Sequence, residues 1–184
     1  MVIQPPGMKS KIENRGNQLL IEIPSQKIWF AMLFLPIWLI GWAFGELNAA
    51  KTVFFGDNHG GLFLFVWFIG WTFGGAFVLY SLAWMLAGKE KIVVDKDQLS
   101  IKRDVFGLGR EKIYQLNQVS ELRASAAYAI SQRNGMQAWG FGTGLVAFDY
   151  GSSTVRFAAG IDEAEAKKLV SALLTYNADF GKPR

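Results

Sequence analysis

Few residues in this 184-residue chain could carry out chemistry, and most of them stand alone. His59 is the single histidine and there is no cysteine. Thiol nucleophiles, disulfides and cysteine-built metal centres are therefore excluded, and a metal site would need carboxylates alone. A serine nucleophile would need a base, and neither a Gly-x-Ser-x-Gly elbow nor a histidine placed to serve one is present. The run Trp-Gly-Phe-Gly-Thr-Gly at 139–144 has the composition of a phosphate loop. Such loops present backbone amides at a helix N-terminus, whereas this one leads into a strand pattern and reads as a flexible turn. Asp104-Val105-Phe106-Gly107 has the letters of a kinase motif without the elements that accompany it. Glu163 and Glu165 open a helical pattern, where acids complement the helix dipole. No catalytic residue, metal site or cofactor is expected, and the chain does not read as an enzyme.

The remaining candidates are cationic. The formal net charge is +4 and the pI about 9.3. Basic residues alternate with acids and gather beside two apolar runs, a distribution suited to anionic lipid headgroups rather than to nucleic acid. Lys102, Arg103, Arg110 and Lys112 flank the turn at 104–109 and form a candidate headgroup-binding edge. Alternation along a strand sends Lys102 and Arg103 to opposite faces, so only part of the set can touch lipid at once. Lys27, Lys89 and Lys91, with Trp29 and Trp84, bracket the apolar runs as a candidate membrane-interface set.

Those runs are the dominant feature of the chain. Residues 28–45 hold no charge over 18 positions and residues 62–88 none over 27, against the roughly 17–25 that a spanning helix needs. A signal peptide is a poor reading of the first run, which follows 27 mostly polar residues and precedes no small-residue cleavage site. With a short polar link at 46–61, the pair predicts an antiparallel transmembrane hairpin at 28–88. It follows an N-terminal segment 1–27 and precedes a soluble domain 89–184. Lys9, Lys11, Arg15 and Lys27 stand before it and Lys89, Lys91 and Lys96 after it, with only Lys51 in the link. The positive-inside rule then puts both termini in the cytoplasm, the protein in the inner cell membrane, and Asp57 and His59 on the far side.

Within the hairpin, residues 34–45 and 63–74 repeat one another at eight of twelve positions. Each copy ends in a small-xxx-small pair, Gly41/Gly45 and Gly70/Gly74, predicted to lie at helix contacts within the hairpin. Trp38 and Trp42, like Trp67 and Trp71, are spaced by four and share a helix face. Pro36 is expected to kink the first helix.

Outside the hairpin the chain alternates like a β protein. Strands are predicted at 18–23, 91–94, 98–105, 110–116, 119–124, 145–150 and 154–157, with a loop at 126–144. An amphipathic helix closes the chain. Asp162 caps it, with Glu165 in capping-box spacing, and Ala166, Leu169, Val170, Leu173 and Leu174 form its apolar stripe. Asp97-x-Leu99-x-Ile101, the Gly107/Gly109 turn, Arg110, Val119 and the segment 160–164 before the helix together carry a likeness. The chain resembles the bacterial pleckstrin-homology-like (PH-like) domains found on small membrane proteins. The resemblance implies a β-barrel of about seven strands capped by a C-terminal helix, hence a membrane α-helical hairpin plus an α+β domain. The strand at 18–23 would join this barrel from the far side of the hairpin. The basic β1–β2 loop of phosphoinositide binders has no counterpart here. The expected function is a membrane scaffold that presents this domain at the cytoplasmic surface to recruit a protein partner or assist assembly of a complex. A lipid-headgroup sensor and a small transport subunit are the alternatives, with membrane lipids and a second copy of the chain as further partners.

Overall fold

The computed structural model describes residues 2–3, 8–56, 61–125, 139, 141–177 and 180. Among them are nine strands and three α-helices. In chain order these are β1 (Val2–Ile3), β2 (Lys11–Asn14), β3 (Leu19–Pro24), α1 (Trp29–Phe55) and α2 (Gly61–Ala87). Then follow β4 (Lys89–Val94), β5 (Gln98–Asp104), β6 (Glu111–Gln115), β7 (Val119–Ala124), β8 (Val146–Tyr150), β9 (Ser153–Phe157) and α3 (Glu163–Tyr176).

β3 shows how the sequence sets the sheet. Its residues alternate, burying Leu19, Ile21 and Ile23 while Leu20 and Glu22 are half-buried on the other face. Its antiparallel partner is β4, in the register Leu19↔Val94, Ile21↔Ile92 and Pro24↔Lys89. The hairpin thus leaves the sheet at the end of one strand and re-enters at the start of its neighbour. Both flanking parts of the chain consequently lie at the same end of the two helices.

The strands do not close into the expected barrel. They form two antiparallel sheets, one of six strands in the order β1 to β6 and one of three in the order β7 to β9. After β6 a single 3-10 turn, Leu116–Gln118, redirects the chain. β7 then pairs with β8 rather than extending the first sheet. Side chains join the sheets instead of a backbone ladder. The Tyr114 ring meets Phe148 and Tyr150 edge-on at 5.2 Å, and Ala166, Leu169 and Leu173 of α3 fill the core with Ile21, Ile23, Ile92, Leu99 and Phe157. Asp162 caps α3 by accepting from the Glu165 N–H at 2.8 Å. The return bond of a capping box is absent, because the buried Glu165 carboxylate accepts from the Ser10 N–H and hydroxyl at 2.7 and 2.6 Å. That pair ties the start of β2 to α3.

Both hairpin helices are 27 residues long and apolar enough to cross a membrane, and the chain itself covers only 6% and 11% of their most apolar windows. A core helix of a soluble protein would be covered; these are not. α1 runs ten residues past its apolar stretch and takes in Glu46, Asn48, Lys51 and Thr52, so most of the expected link is helix. Asn48 and Thr52 support this turn by donating to the carbonyls of Phe44 and Asn48. Asp57 and His59 lie outside the described residues.

The expected glycine seam is not the helix contact. A Cβ placed on Gly41, Gly45, Gly70 or Gly74 would meet nothing within 4 Å. The close approach is at Gly75, where a Cβ would overlap the Trp42 indole. Because the helices run in opposite directions, Trp42 meets the residue just after the second copy of the repeat, not the glycines within it. Trp38–Trp71 at 6.5 Å, Phe54–Phe68 at 5.8 Å and the cluster of Leu35, Val78 and Met85 complete the interface. Gly75→Ala should therefore lower hairpin stability by about 1–3 kcal/mol, the usual cost of overpacking. Gly41→Ala and Gly74→Ala should match the wild type in thermal denaturation of the detergent-solubilised protein. Equal melting temperatures for all three variants would remove Gly75 from the contact.

Candidate functional site

The foot of the hairpin, where α2 gives way to β4, is held by several hydrogen bonds. Gly88 N–H donates to the Trp84 carbonyl at 2.7 Å, and a Cβ on Gly88 would collide with that residue. Ser25 N–H donates to the Gly88 carbonyl at 2.9 Å, and the Lys27 Nζ donates to the Leu86 carbonyl at 2.9 Å. A cation at the last turn of α2 is matched to the helix dipole. Of the expected interface residues, Trp29 is 76% exposed beside the foot, whereas Trp84 is 3% exposed and packed inside. Trp84 is therefore no part of an interfacial belt. Lys27, Lys89 and Lys91 are also engaged within the protein, Lys89 with Glu22 at 3.1 Å and Lys91 with Asp104 at 2.9 Å.

Strand register decides what else gathers here. β5 runs back beside β4 with Lys89↔Asp104, so the turn after Asp104 lies at the foot. Val105 and Leu108 exchange hydrogen bonds at 2.8 and 2.9 Å across Phe106 and Gly107, whose φ angles are 51° and 87°. Two positive φ values in a two-residue loop suit the twist of a hairpin, yet an aromatic residue is strained there. Phe106 and Leu108 project outward from this turn, 77% and 79% exposed. Lys102 braces the turn, donating to the Gly107 carbonyl at 3.1 Å and lying 3.6 Å from Asp104.

On the opposite face of the first sheet, a cleft of about 340 Å³ opens between β5, β6, β9 and α2. Arg103, Arg110, Lys112 and Arg156 line it against a single carboxylate, Glu90, with Tyr80, Ile101, Tyr114 and Val155 as its walls. Glu90 is buried and fully used. It accepts from Arg103 Nε at 3.1 Å and from the Ala158 N–H at 2.6 Å. The Arg103 guanidinium also lies 6.0 Å from the Trp84 ring centroid, a cation–π placement. Arg156 donates to the Ser125 hydroxyl at 2.9 Å. Arg110 and Lys112 are exposed and pair with no acid among the described residues. Burial, then the neighbouring Tyr150, pushes the Tyr114 hydroxyl above its ordinary range, so it stays a neutral donor.

Three of the four residues expected at the basic edge thus meet in one cleft, and Lys102 stands apart on the other face. Tyr80, Glu90, Tyr114 and Arg156 carry no local sequence signal, because they come from four separate elements. The glycine run at 139–144 has a different part from the flexible turn expected of it. Trp139 packs on Phe77 at 5.3 Å, and Phe141 stacks on Tyr80 and Trp84 at 5.6 and 6.0 Å. These rings pin the last turns of α2 beside the cleft. No family model matches the chain and no curated protein matches it.

The foot should respond to acid. The hydrogen bond from Lys91 holds Asp104 below its ordinary value of 3.8, and the proximity of Lys102 adds to this. A depressed carboxyl contributes its full stability above the unfolded value and loses it as pH falls through the lower folded value. Asp149 is lowered in the same sense by Arg123 and Thr154. Thermal stability should therefore be level from pH 7 to about 5 and fall below about pH 4, less steeply in Asp104→Asn. Parallel wild-type and Asp104→Asn curves would show that acid acts elsewhere.

Proposed function

We propose that the protein is an integral membrane binding protein of the inner membrane that captures an anionic lipid headgroup in the cleft beside α2. The hairpin spans the bilayer, both termini are cytoplasmic, and the two sheets with α3 form an opened PH-like unit on the membrane surface. The observation that carries this reading is the pair Arg110 and Lys112, in a cleft at the foot of the hairpin, which form no ion pair among the described residues. The cleft is large enough for a phosphate-bearing headgroup. Phe106 and Leu108 project from the same turn that Arg110 ends, so an apolar tip and a cationic wall are offered together. This reading takes precedence over recruitment of a protein partner or transport through an oligomer because the cleft has a definite charge, size and position.

Each cation near an anionic surface contributes about 1 kcal/mol, so losing two should weaken headgroup retention about thirtyfold at low salt. Native mass spectrometry of the detergent-solubilised full chain should show phosphatidylglycerol retained over phosphatidylcholine. Arg110→Ala with Lys112→Ala should remove the preference, as should high salt. Equal retention of the two lipids, or a preference untouched by the double substitution, overturns the proposal.

Orientation is tested separately. The chain lacks cysteine, so single cysteines at Ser152, exposed in the turn between β8 and β9, and at Asn58 are unambiguous reporters. An impermeant thiol reagent applied to intact cells should reach Asn58→Cys alone. Labelling of Ser152→Cys from outside would reverse the topology.

A further inference from the structure

The large apolar side chains that the sheet domain exposes all lie on one β-hairpin. Among the described residues outside α1 and α2 they are Phe106, Leu108 and Ile113. Phe106 and Leu108 form the tip between β5 and β6, and Ile113 lies on β6 itself. Single apolar residues scattered over a surface are ordinary, whereas exposed ones gathered in one place mark an interaction site.

The backbone supplies a second observation. The two-residue loop takes φ 51° at Phe106 and 87° at Gly107, a conformation for which Asn-Gly is the relaxed choice. Phenylalanine is strained there, and its ring, mostly uncovered, returns little packing to the domain. Lys102 nevertheless holds the turn, donating to the Gly107 carbonyl at 3.1 Å. Strain kept at an exposed, braced position calls for a contact outside the domain.

Position selects the contact. α2 is 27 residues long, about 40 Å against about 30 Å of hydrocarbon. The sheet domain lies alongside its last turns, with Arg103 6.0 Å from the Trp84 ring and Tyr80 lining the same cleft as Arg110. Asp104 is level with Lys89, the first residue of β4. Because β5 runs antiparallel to β4, the chain past Asp104 heads back toward the helices. Phe106, two residues on, then stands about 7 Å nearer the bilayer. Lys102 and Arg110 flank the tip, so its apolar point is collared by cations, as in interfacial anchors.

We propose that the β5–β6 tip is a second membrane attachment. Phe106 and Leu108 enter the lipid interface beside α2, and Lys102 and Arg110 meet the anionic headgroups around them. The tip thereby fixes the tilt of the sheet domain against the bilayer. This inference rests on the spanning hairpin proposed above, and not on what the cleft holds.

Spin labelling of the cysteine-free full chain tests it, in nanodiscs of equal parts phosphatidylcholine and phosphatidylglycerol. A nitroxide at Leu108→Cys should collide more with oxygen, which concentrates in lipid, than with a water-soluble nickel chelate. A label at Phe73→Cys, exposed midway along α2, should do the same. One at Ser152→Cys, in the turn between β8 and β9, should do the reverse. Adding Phe106→Asn relaxes the turn while removing the ring. It should shift the label at position 108 toward the aqueous reading with no loss of thermal stability. A label at 108 that reads like the one at 152 overturns the attachment. So does one shielded from both reagents, which would mean that a protein partner or a second copy covers the tip. If Leu108→Cys does not fold, Phe106→Cys gives the same reading from the other residue of the tip. An aqueous reading at Phe73→Cys would instead sink the spanning hairpin, leaving the two failures distinguishable.

Discussion

The antiparallel pairing of β3 with β4 closes the chain around the whole hairpin, from Pro24 at one end of the excursion to Lys89 at the other. Backbone hydrogen bonds formed across so long an insertion would be disfavoured by loop entropy if the insertion were floppy, although the penalty grows only slowly with length. Here the insertion is two packed helices whose ends already stand side by side, so the strands meet without further ordering. The same pairing explains why the segment before the hairpin belongs to the sheet domain. It also places Lys89, and hence its partner Asp104 on β5, at the helix ends.

From that register the electrostatics of the foot follow. Strand alternation divides the cations of β4 and β5 between two faces. On one face Lys91 and Lys102 surround the buried Asp104 and are internally satisfied. On the other, Glu90 holds Arg103, while Arg110 just before β6 and Lys112 within it pair with no acid among the described residues. Two buried acids brace this corner of the domain, Asp104 between Lys91 and Lys102 and Glu90 between Arg103 and the Ala158 N–H. The bracing gives the cleft a fixed shape, so a ligand there would not have to order its own walls.

Aromatic rings do the work in the hairpin that the glycine repeat suggested at first sight. Large rings against one small residue, Trp42 on Gly75, bring the helices together, and the Trp139 and Phe141 rings extend the same packing onto the sheet domain. Beyond the Trp42–Gly75 contact, on the side away from the foot, the Thr72 hydroxyl of α2 lies 2.6 Å from a Glu46 carboxyl oxygen of α1, a polar pair between two otherwise apolar helices.

Periodicity and composition made much of this legible. Two uncharged runs predicted two long apolar helices, alternation located seven of the nine strands, and Asp162 marked the start of α3 to the residue. β1 and β2 gave too short a pattern to be seen, two and four residues long. The end of α1 was misjudged because polar residues with good helix propensity look like a link when hydrophobicity is the only guide. Proximity was the part no local pattern could supply. Whether the strands close, which glycine is touched, that Arg156 joins Arg110 and that Glu46 meets Thr72 all depend on the register between distant segments. Local sequence specifies a residue's conformation and which face it takes. Register is set by the sum of many long-range contacts, and only the folded chain performs that sum.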